Sequence, residues 1–174
     1  MAEERSSTAE WLSDEDLACF EGRLSRLDWL AERAPPGEFW TFPGGLLAKS
    51  VFEESRYCFV YGQFIATTLL GLAYVERTLA ALFYGAGRND LERASFARLL
   101  KEARKARLIS EAEFEDLERI RESRNSYAHF RKPVDTSGVE SRALRGYQAP
   151  YEVIEEDAMA VIAAALRMVA RNAI

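Results

Sequence analysis

The segment from Tyr57 to Val75 contains no charged residue, and it constrains the fold more than any other part of the chain. A run of that length and composition forms either a membrane span or the central helix of a helical core. One glutamine and two threonines interrupt it, and the apolar pattern continues directly into Glu76. These polar residues favour the core interpretation. We therefore predict one long central helix from about Val51 to Tyr84 and no association with a membrane.

The residues before this helix predict an N-terminal extension. Ser13 is followed three residues later by Asp16, which is typical of a helix start, and apolar residues then recur at steps of three and four. They are Leu17, Phe20, Leu24, Leu27 and Ala31. Pro35 and Pro36 end this helix, and we expect the aromatic loop after them either to cover the core or to contact a ligand. We assign residues 1–45 to the extension and residues 46–174 to the main bundle.

Three further helices are predicted after the central one. Asn89 and Ser110 are each followed three residues later by Glu, and Pro150 precedes a cluster of acidic residues, so each of the three positions indicates a helix start. Residues 133–150 show little periodicity and are predicted to form a long loop. No strand-like alternation of useful length occurs. We therefore predict an all-α, up-and-down bundle of about five helices.

Composition restricts the chemistry of the chain. Cys19 and Cys58 are the only cysteines, too few for a zinc site or a disulfide framework, so we expect reduced thiols in a cytoplasmic protein without a metal. His129 is the only histidine. The net charge of −5 argues against non-specific binding of nucleic acid, yet residues 98–132 hold ten basic residues against seven acidic ones. That segment is either a surface that attracts a polyanion or a solvated helix face.

The basic segment contains the residues with the clearest chemical potential, Arg124-Asn125-Ser126-Tyr127-Ala128-His129. On an ideal helix Asn125 and His129 share a face, because they lie about 40° apart, and Arg121 lies one turn before Asn125. Arg124 is about 140° from His129. The pattern predicts a polar stripe at the C-terminal end of a helix. An arginine and a histidine are also ordinary caps at such an end, so spacing alone leaves both interpretations open.

One histidine and one arginine can support cleavage of RNA without a metal ion or a cofactor. An imidazole that titrates near neutrality can take the proton from the ribose 2′-hydroxyl or protonate the leaving 5′-oxygen. A guanidinium can stabilise the charge of the phosphorane-like transition state. One imidazole cannot readily perform both proton transfers, so the second histidine must come from another copy of the chain.

This motif and its helical frame resemble the HEPN superfamily, in which an arginine is followed by a polar residue and, a few residues later, by a histidine. The segments 108–111 (Leu-Ile-Ser-Glu) and 74–79 (Tyr-Val-Glu-Arg-Thr-Leu) extend the resemblance over roughly residues 50–170. It implies a bundle of four or five helices that forms a homodimer and places two motifs in one cleft. Many members are ribonucleases of toxin–antitoxin, abortive-infection or RNA-processing systems, and others only bind partners.

The resemblance also implies roles for individual residues. Arg124 would stabilise the phosphate, His129 would act as acid and base, and Glu76 is the expected acidic partner of Arg124 on the facing helix. Asn125 would orient the pair with support from Arg121. Residues expected to contact the RNA substrate are Arg131 and Lys132.

Three hypotheses follow from these observations. The first is a dimeric, metal-independent endoribonuclease, a toxin or defence component that an antitoxin or regulatory protein would bind. The second is a non-catalytic HEPN module that binds a protein partner or a nucleotide and regulates transcription or defence. The acidic composition and the lack of an aromatic base-stacking platform favour it. The mannitol-operon repressor group, which has a similar Leu-Ile-Ser joint, is a non-enzymatic comparison. The third is a helical protein whose motif is only a helix cap.

One departure from the family pattern restricts the first hypothesis. Members paired with small nucleotidyltransferase antitoxins carry a tyrosine two residues after the histidine, where this chain has Arg131. That particular pairing is therefore not expected.

Overall fold

The computed structural model of the protein describes residues 2–36, 40–128, 136 and 138–172, without the side chains of residues 2–6 and of Asn125. These residues form seven α-helices and no strand, which confirms the predicted all-α fold with two helices more than the five expected. The helices are α1 (Ala2–Arg33), α2 (Gly45–Val60), α3 (Phe64–Gly85), α4 (Phe96–Lys105), α5 (Glu111–Ala128), α6 (Val139–Gly146) and α7 (Pro150–Arg171), with a 3₁₀ turn at Asn89–Leu91.

The helix α3 lies at the centre of the core, packed against α2 and α7. Leu72, Val75 and Leu79 are fully buried on it. At Gly71 the approach of α7 is so close that a Cβ atom would lie 2.3 Å from Val161 Cγ1. Among the described helices α3 is the one long and apolar enough to span a membrane, a property that buried core helices share.

The prediction of a single helix from Val51 to Tyr84 is wrong, because the chain reverses at Gly62. This glycine has a φ of +72°, a left-handed conformation that closes α2. The N–H of Gln63 then donates to the carbonyl of Cys58 over 2.8 Å, the bond expected of a helix ended in this way. The uncharged segment is therefore divided between α2 and α3, which pack against each other.

Three other boundaries differ from the sequence predictions. Ser13 lies inside α1 and does not begin it, because the helix extends back from Ser13 to Ala2. α4 starts after Ser95, whose side chain caps Arg98 N, whereas Asn89 begins only the 3₁₀ turn. α6 lies within the predicted loop 133–150, because its eight residues bury Val139 and another small apolar side chain on one face.

Other predicted features are present. The N–H of Glu113 donates to Ser110 Oγ over 3.2 Å and the N–H of Ser110 donates to Glu113 Oε2 over 2.7 Å, which is a complete capping box at the start of α5. α7 begins at Pro150 as expected. Trp40 and Phe42 in the loop before α2 pack on the core, in agreement with the first of the two interpretations of that loop.

Candidate functional site

The described residues of the motif, 124–128, form the C-terminal end of α5, which three neighbouring helices hold in place. α5 packs against α3, α4 and α7. Leu117 and Ile120 are buried between them and fix the rotation of the helix about its axis. Arg124 and Tyr127 follow one and two turns after Ile120, so this rotation determines which neighbour each of them faces.

Arg124 faces α3 and forms an ion pair with Glu76. Its Nη1 atom lies 3.6 Å from Glu76 Oε2, and the two side chains are 39% and 32% exposed. An ion pair at this distance and exposure contributes at most about 1 kcal/mol to stability. The contact expected from the sequence is therefore present. It orients the guanidinium and leaves other N–H groups of Arg124 able to donate hydrogen bonds to a ligand. The catalytic roles assigned to these residues stay predictions.

Tyr127, on the neighbouring side of the same turn, faces α7 and anchors the motif. Its hydroxyl donates a hydrogen bond to Asp157 Oδ2 over 2.7 Å. Burial and the adjacent carboxylate of Asp157 both raise the pKa of the Tyr127 hydroxyl well above its ordinary value. Tyr127 is therefore a neutral hydrogen-bond donor at every physiological pH, which suits a structural contact better than proton transfer.

The carboxylate of Asp157 in α7 is fully buried and accepts hydrogen bonds from side chains of two other helices, α5 and α6. Arg142 of α6 donates to it from Nη1 over 2.6 Å and from Nη2 over 2.8 Å, and Arg119 Nη1 of α5 donates over 3.1 Å. Arg142 Nη1 also donates to Ser123 Oγ over 2.9 Å. This Asp157 cluster of Asp157, Arg142, Arg119, Tyr127 and Ser123 ties α5, α6 and α7 together directly beside Arg124.

The Asp157 cluster is not among the sequence predictions, because Asp157 follows Glu155 and Glu156 and resembles part of an acidic helix start. A signal was present, however. Asp157 lies four residues after Val153 and four before Val161, so it falls on the buried face of the helix. A carboxylate on an apolar face must have partners, because an unpaired buried charge is very costly. That spacing predicts a buried cationic partner without identifying Arg142.

Arg121, which was predicted to support the motif, lies among carboxylates of its own helix. Its Nε atom donates to Glu118, and its Nη2 atom lies 3.7 Å from Glu122 Oε1. Earlier in the basic segment, Arg98 pairs with Asp90, Arg104 with Glu111 and Lys105 with Glu102. Much of the positive charge of residues 98–124 is therefore balanced locally.

A cleft of about 450 Å³ opens beside Glu76. Besides Glu76 its charged lining residues are Arg77 and Glu92, and small apolar residues of α3 form much of the remainder. Two carboxylates against one guanidinium make this cleft less suited to a phosphate than the exposed side of Arg124.

Four predicted site residues have no described side chain. His129, Arg131 and Lys132 lie outside the described residues, and Asn125 is described only as part of the α5 backbone. Among the residues whose side chains are described, no group of three or more His, Cys, Asp or Glu could hold a metal ion. The structure therefore brings Arg124 and Glu76 together and places Arg121 in separate contacts.

Comparisons with protein-family models, with curated proteins and with solved structures gave no match for this chain. The resemblance to HEPN domains consequently depends on the motif and its helical frame.

Proposed function

We propose that the protein is a metal-independent endoribonuclease of the HEPN type, with a composite active site formed where two copies of the motif meet. The observation that carries the proposal is the position of Arg124. Glu76 orients its guanidinium by a weak ion pair, and a substantial part of the side chain stays exposed. A guanidinium held in this way can exchange a distant carboxylate for a phosphate that accepts two hydrogen bonds in parallel.

The proposed reaction is transesterification within the RNA strand. The ribose 2′-oxygen attacks the adjacent phosphorus, one His129 imidazole takes the 2′-hydroxyl proton, and the P–O5′ bond breaks. The His129 imidazolium of the other copy gives its proton to the leaving 5′-oxygen, so the products are a 2′,3′-cyclic phosphate and a 5′-hydroxyl. Arg124 stabilises the charge that develops on the phosphate oxygens.

The Asp157 cluster supports this chemistry from behind the motif. A donor for a transition state is effective only if it is held in position before the reaction. Tyr127 fixes the last turn of α5 to α7 through Asp157, three residues after Arg124. We propose that this contact limits movement of the helix end when a phosphate displaces Glu76. A cell would need to restrain such an activity, which fits a toxin or defence component bound by an antitoxin.

A second candidate function is a non-catalytic module that binds a protein partner. The observation in its favour is electrostatic: the chain carries a net charge of −5, and many basic side chains around the motif already have carboxylate partners. Such a surface does not attract RNA strongly. This module would capture its partner equally well after Arg124→Ala and His129→Ala.

The decisive experiment compares RNA cleavage by the parent, Arg124→Ala, His129→Ala and Arg104→Ala in the presence of a chelator. Arg104 is the matched control, because it is 40% exposed and is also paired with one carboxylate, that of Glu111. Loss of a transition-state donor lowers the rate by about 100-fold or more, so we expect this result for Arg124→Ala and a rate within about two-fold of the parent for Arg104→Ala.

The products must carry 2′,3′-cyclic phosphate ends, which distinguishes the proposed reaction from that of a contaminating metal-dependent nuclease. Intact RNA after incubation with micromolar parent protein contradicts the proposal. Cleavage by His129→Ala at the parent rate contradicts it equally.

A further inference from the structure

The helix α1 carries an apolar face that the other described residues leave uncovered. Leu17 is 73% exposed, Phe20 53% and Leu27 48%, and Leu12 and Leu24 are exposed as well. These five residues, here called the α1 stripe, follow one another along a helix of 32 residues, about 48 Å in length. Contiguous apolar surface of this extent is unusual on a monomer and marks an interaction site.

The described part of the body leaves the α1 stripe open, because it holds α1 by a different face near the C-terminal end. Leu30 is 2% exposed, the ring of Trp29 lies 5.3 Å from that of Phe59, and Arg26 Nε donates to the carbonyl of Val60 over 2.9 Å. The stripe instead lines a groove of about 760 Å³ that runs from Ala9 to Leu27 along α1 and is bounded by Val60 and Tyr61.

We infer that the α1 stripe binds the α1 stripe of a second copy of this chain, with the two helices antiparallel about a two-fold axis near Phe20. The charge distribution supports this partner and this direction. Residues 7–17 carry four carboxylates and no basic residue, whereas residues 23–33 carry three arginines against two carboxylates. An antiparallel pair sets the acidic segment beside the arginine-containing one, whereas a parallel pair sets four carboxylates against four.

The available area is sufficient for such a pair. At about 100 Å² for each half-exposed large side chain, the α1 stripe offers on the order of 500 Å² of apolar surface per copy. Two copies therefore bury about 1,000 Å² of apolar surface before the flanking polar atoms are included, which reaches the size of a specific interface. In the antiparallel arrangement Leu17 lies near Leu24 of the second copy, so each leucine has an apolar neighbour.

The same charges argue against a lipid surface as the occupant. A helix that lies on a membrane carries basic residues along the flanks of its apolar face, and these attract anionic headgroups. α1 instead has Asp14, Glu15 and Asp16 immediately before Leu17. An anionic bilayer would repel this segment. This inference does not depend on the proposed ribonuclease activity, because it uses no residue of the motif.

The test measures the mass of the full chain in solution against protein concentration, by sedimentation, for the parent and for Leu17→Glu/Leu24→Glu. The control is Leu46→Glu/Leu144→Glu, which adds the same charges at two leucines, each 79% exposed, outside α1. We expect the parent and the control to associate equally, and Leu17→Glu/Leu24→Glu to have at most half the mass of the parent at the same concentration. An unchanged mass for this variant overturns the inference.

Disulfide formation tests the direction in a background with Cys19→Ser and Cys58→Ser. Phe20→Cys lies near the proposed axis and should crosslink two copies, whereas the two cysteines of Ser13→Cys lie about 21 Å apart in an antiparallel pair. Equal crosslinking by both variants indicates a parallel pair and overturns the proposed arrangement. Binding of a monomeric parent to anionic vesicles that Leu17→Glu/Leu24→Glu abolishes would identify a membrane as the occupant, which also overturns it.

Discussion

Replacing Tyr127 by Phe should destabilise the protein while leaving Arg124 and His129, the residues proposed to act on RNA, unchanged. The substitution deletes only the hydroxyl that donates to Asp157 over 2.7 Å. Because Asp157 is fully buried, no solvent can replace the lost donor. A hydrogen bond to a charged group contributes about 1.5–3 kcal/mol to stability. Arg142 and Arg119 still donate to the same carboxylate, so we expect a loss near the lower end, about 1–2 kcal/mol.

The assay is urea unfolding at pH 7, followed by circular dichroism, with thermal unfolding as a second measurement. For a chain of 174 residues a loss of 1–2 kcal/mol corresponds to a fall in Tm of roughly 3–6 °C. The control is Tyr147→Phe, because Tyr147 is 98% exposed and its hydroxyl is open to solvent. We expect that variant to unfold within about 0.5 kcal/mol of the parent.

Unfolding of Tyr127→Phe at the parent midpoint, with an unchanged dependence on urea, would refute this expectation. In that case the Tyr127 hydroxyl contributes nothing to holding the end of α5. A loss well above 3 kcal/mol would also contradict it, because the two arginines would then not hold Asp157 without the tyrosine.

Two further substitutions test the packing of α5 and α3. Burial of Glu113 acts to raise the pKa of its carboxyl, but the N–H of Ser110 and the Arg171 guanidinium lower that pKa to about 2. The stabilisation that the ionised Glu113 carboxyl contributes is thus present above pH 4.5 and lost as pH falls toward 2. Urea unfolding of the parent across this range should therefore show a loss of about 1–2 kcal/mol in the free energy of unfolding, and Glu113→Gln should lack this loss. Gly71→Ala places a Cβ against Val161 and should cost about 1–3 kcal/mol in urea unfolding despite the better helix propensity of alanine. Equal pH profiles for parent and Glu113→Gln, or a stabilised Gly71→Ala, would contradict these two expectations.

Local signals in the sequence predicted those features that depend on a few neighbouring residues. The capping box at Ser110, the start of α7 at Pro150 and the all-α class of the fold are of this kind. The break at Gly62 was missed because a glycine in an apolar run is compatible with a continuous helix, and the packing of α2 against α3 favours the turn. α6 was missed because its eight residues are too few to show a clear period.

The candidate site was predictable to the extent that helical geometry determines it. The contact between Arg124 and Glu76 followed from the resemblance and is present, whereas the partners of Asp157 depend on how α6 lies across α5 and α7, which no local pattern encodes. The same limit applies to α1. Periodicity located four of the five residues of the α1 stripe, all but Leu12, but could not show that the body holds α1 by another face.

The two surfaces proposed as contacts with a second copy lie on different helices, and this has a consequence for assembly. On α5, Tyr127 contacts α7 on one side of Arg124, and Ala128 is exposed on the other side. The exposed face at this end of α5 is therefore the one that contacts neither α3 nor α7. The α1 stripe lies on a helix that packs against α2. Two isologous interfaces with separate two-fold axes cannot both be satisfied within a dimer, and they produce a closed tetramer or an open chain. Leu17→Glu/Leu24→Glu should therefore leave a dimer that still cleaves RNA, because the association that remains is the one that joins the two motifs.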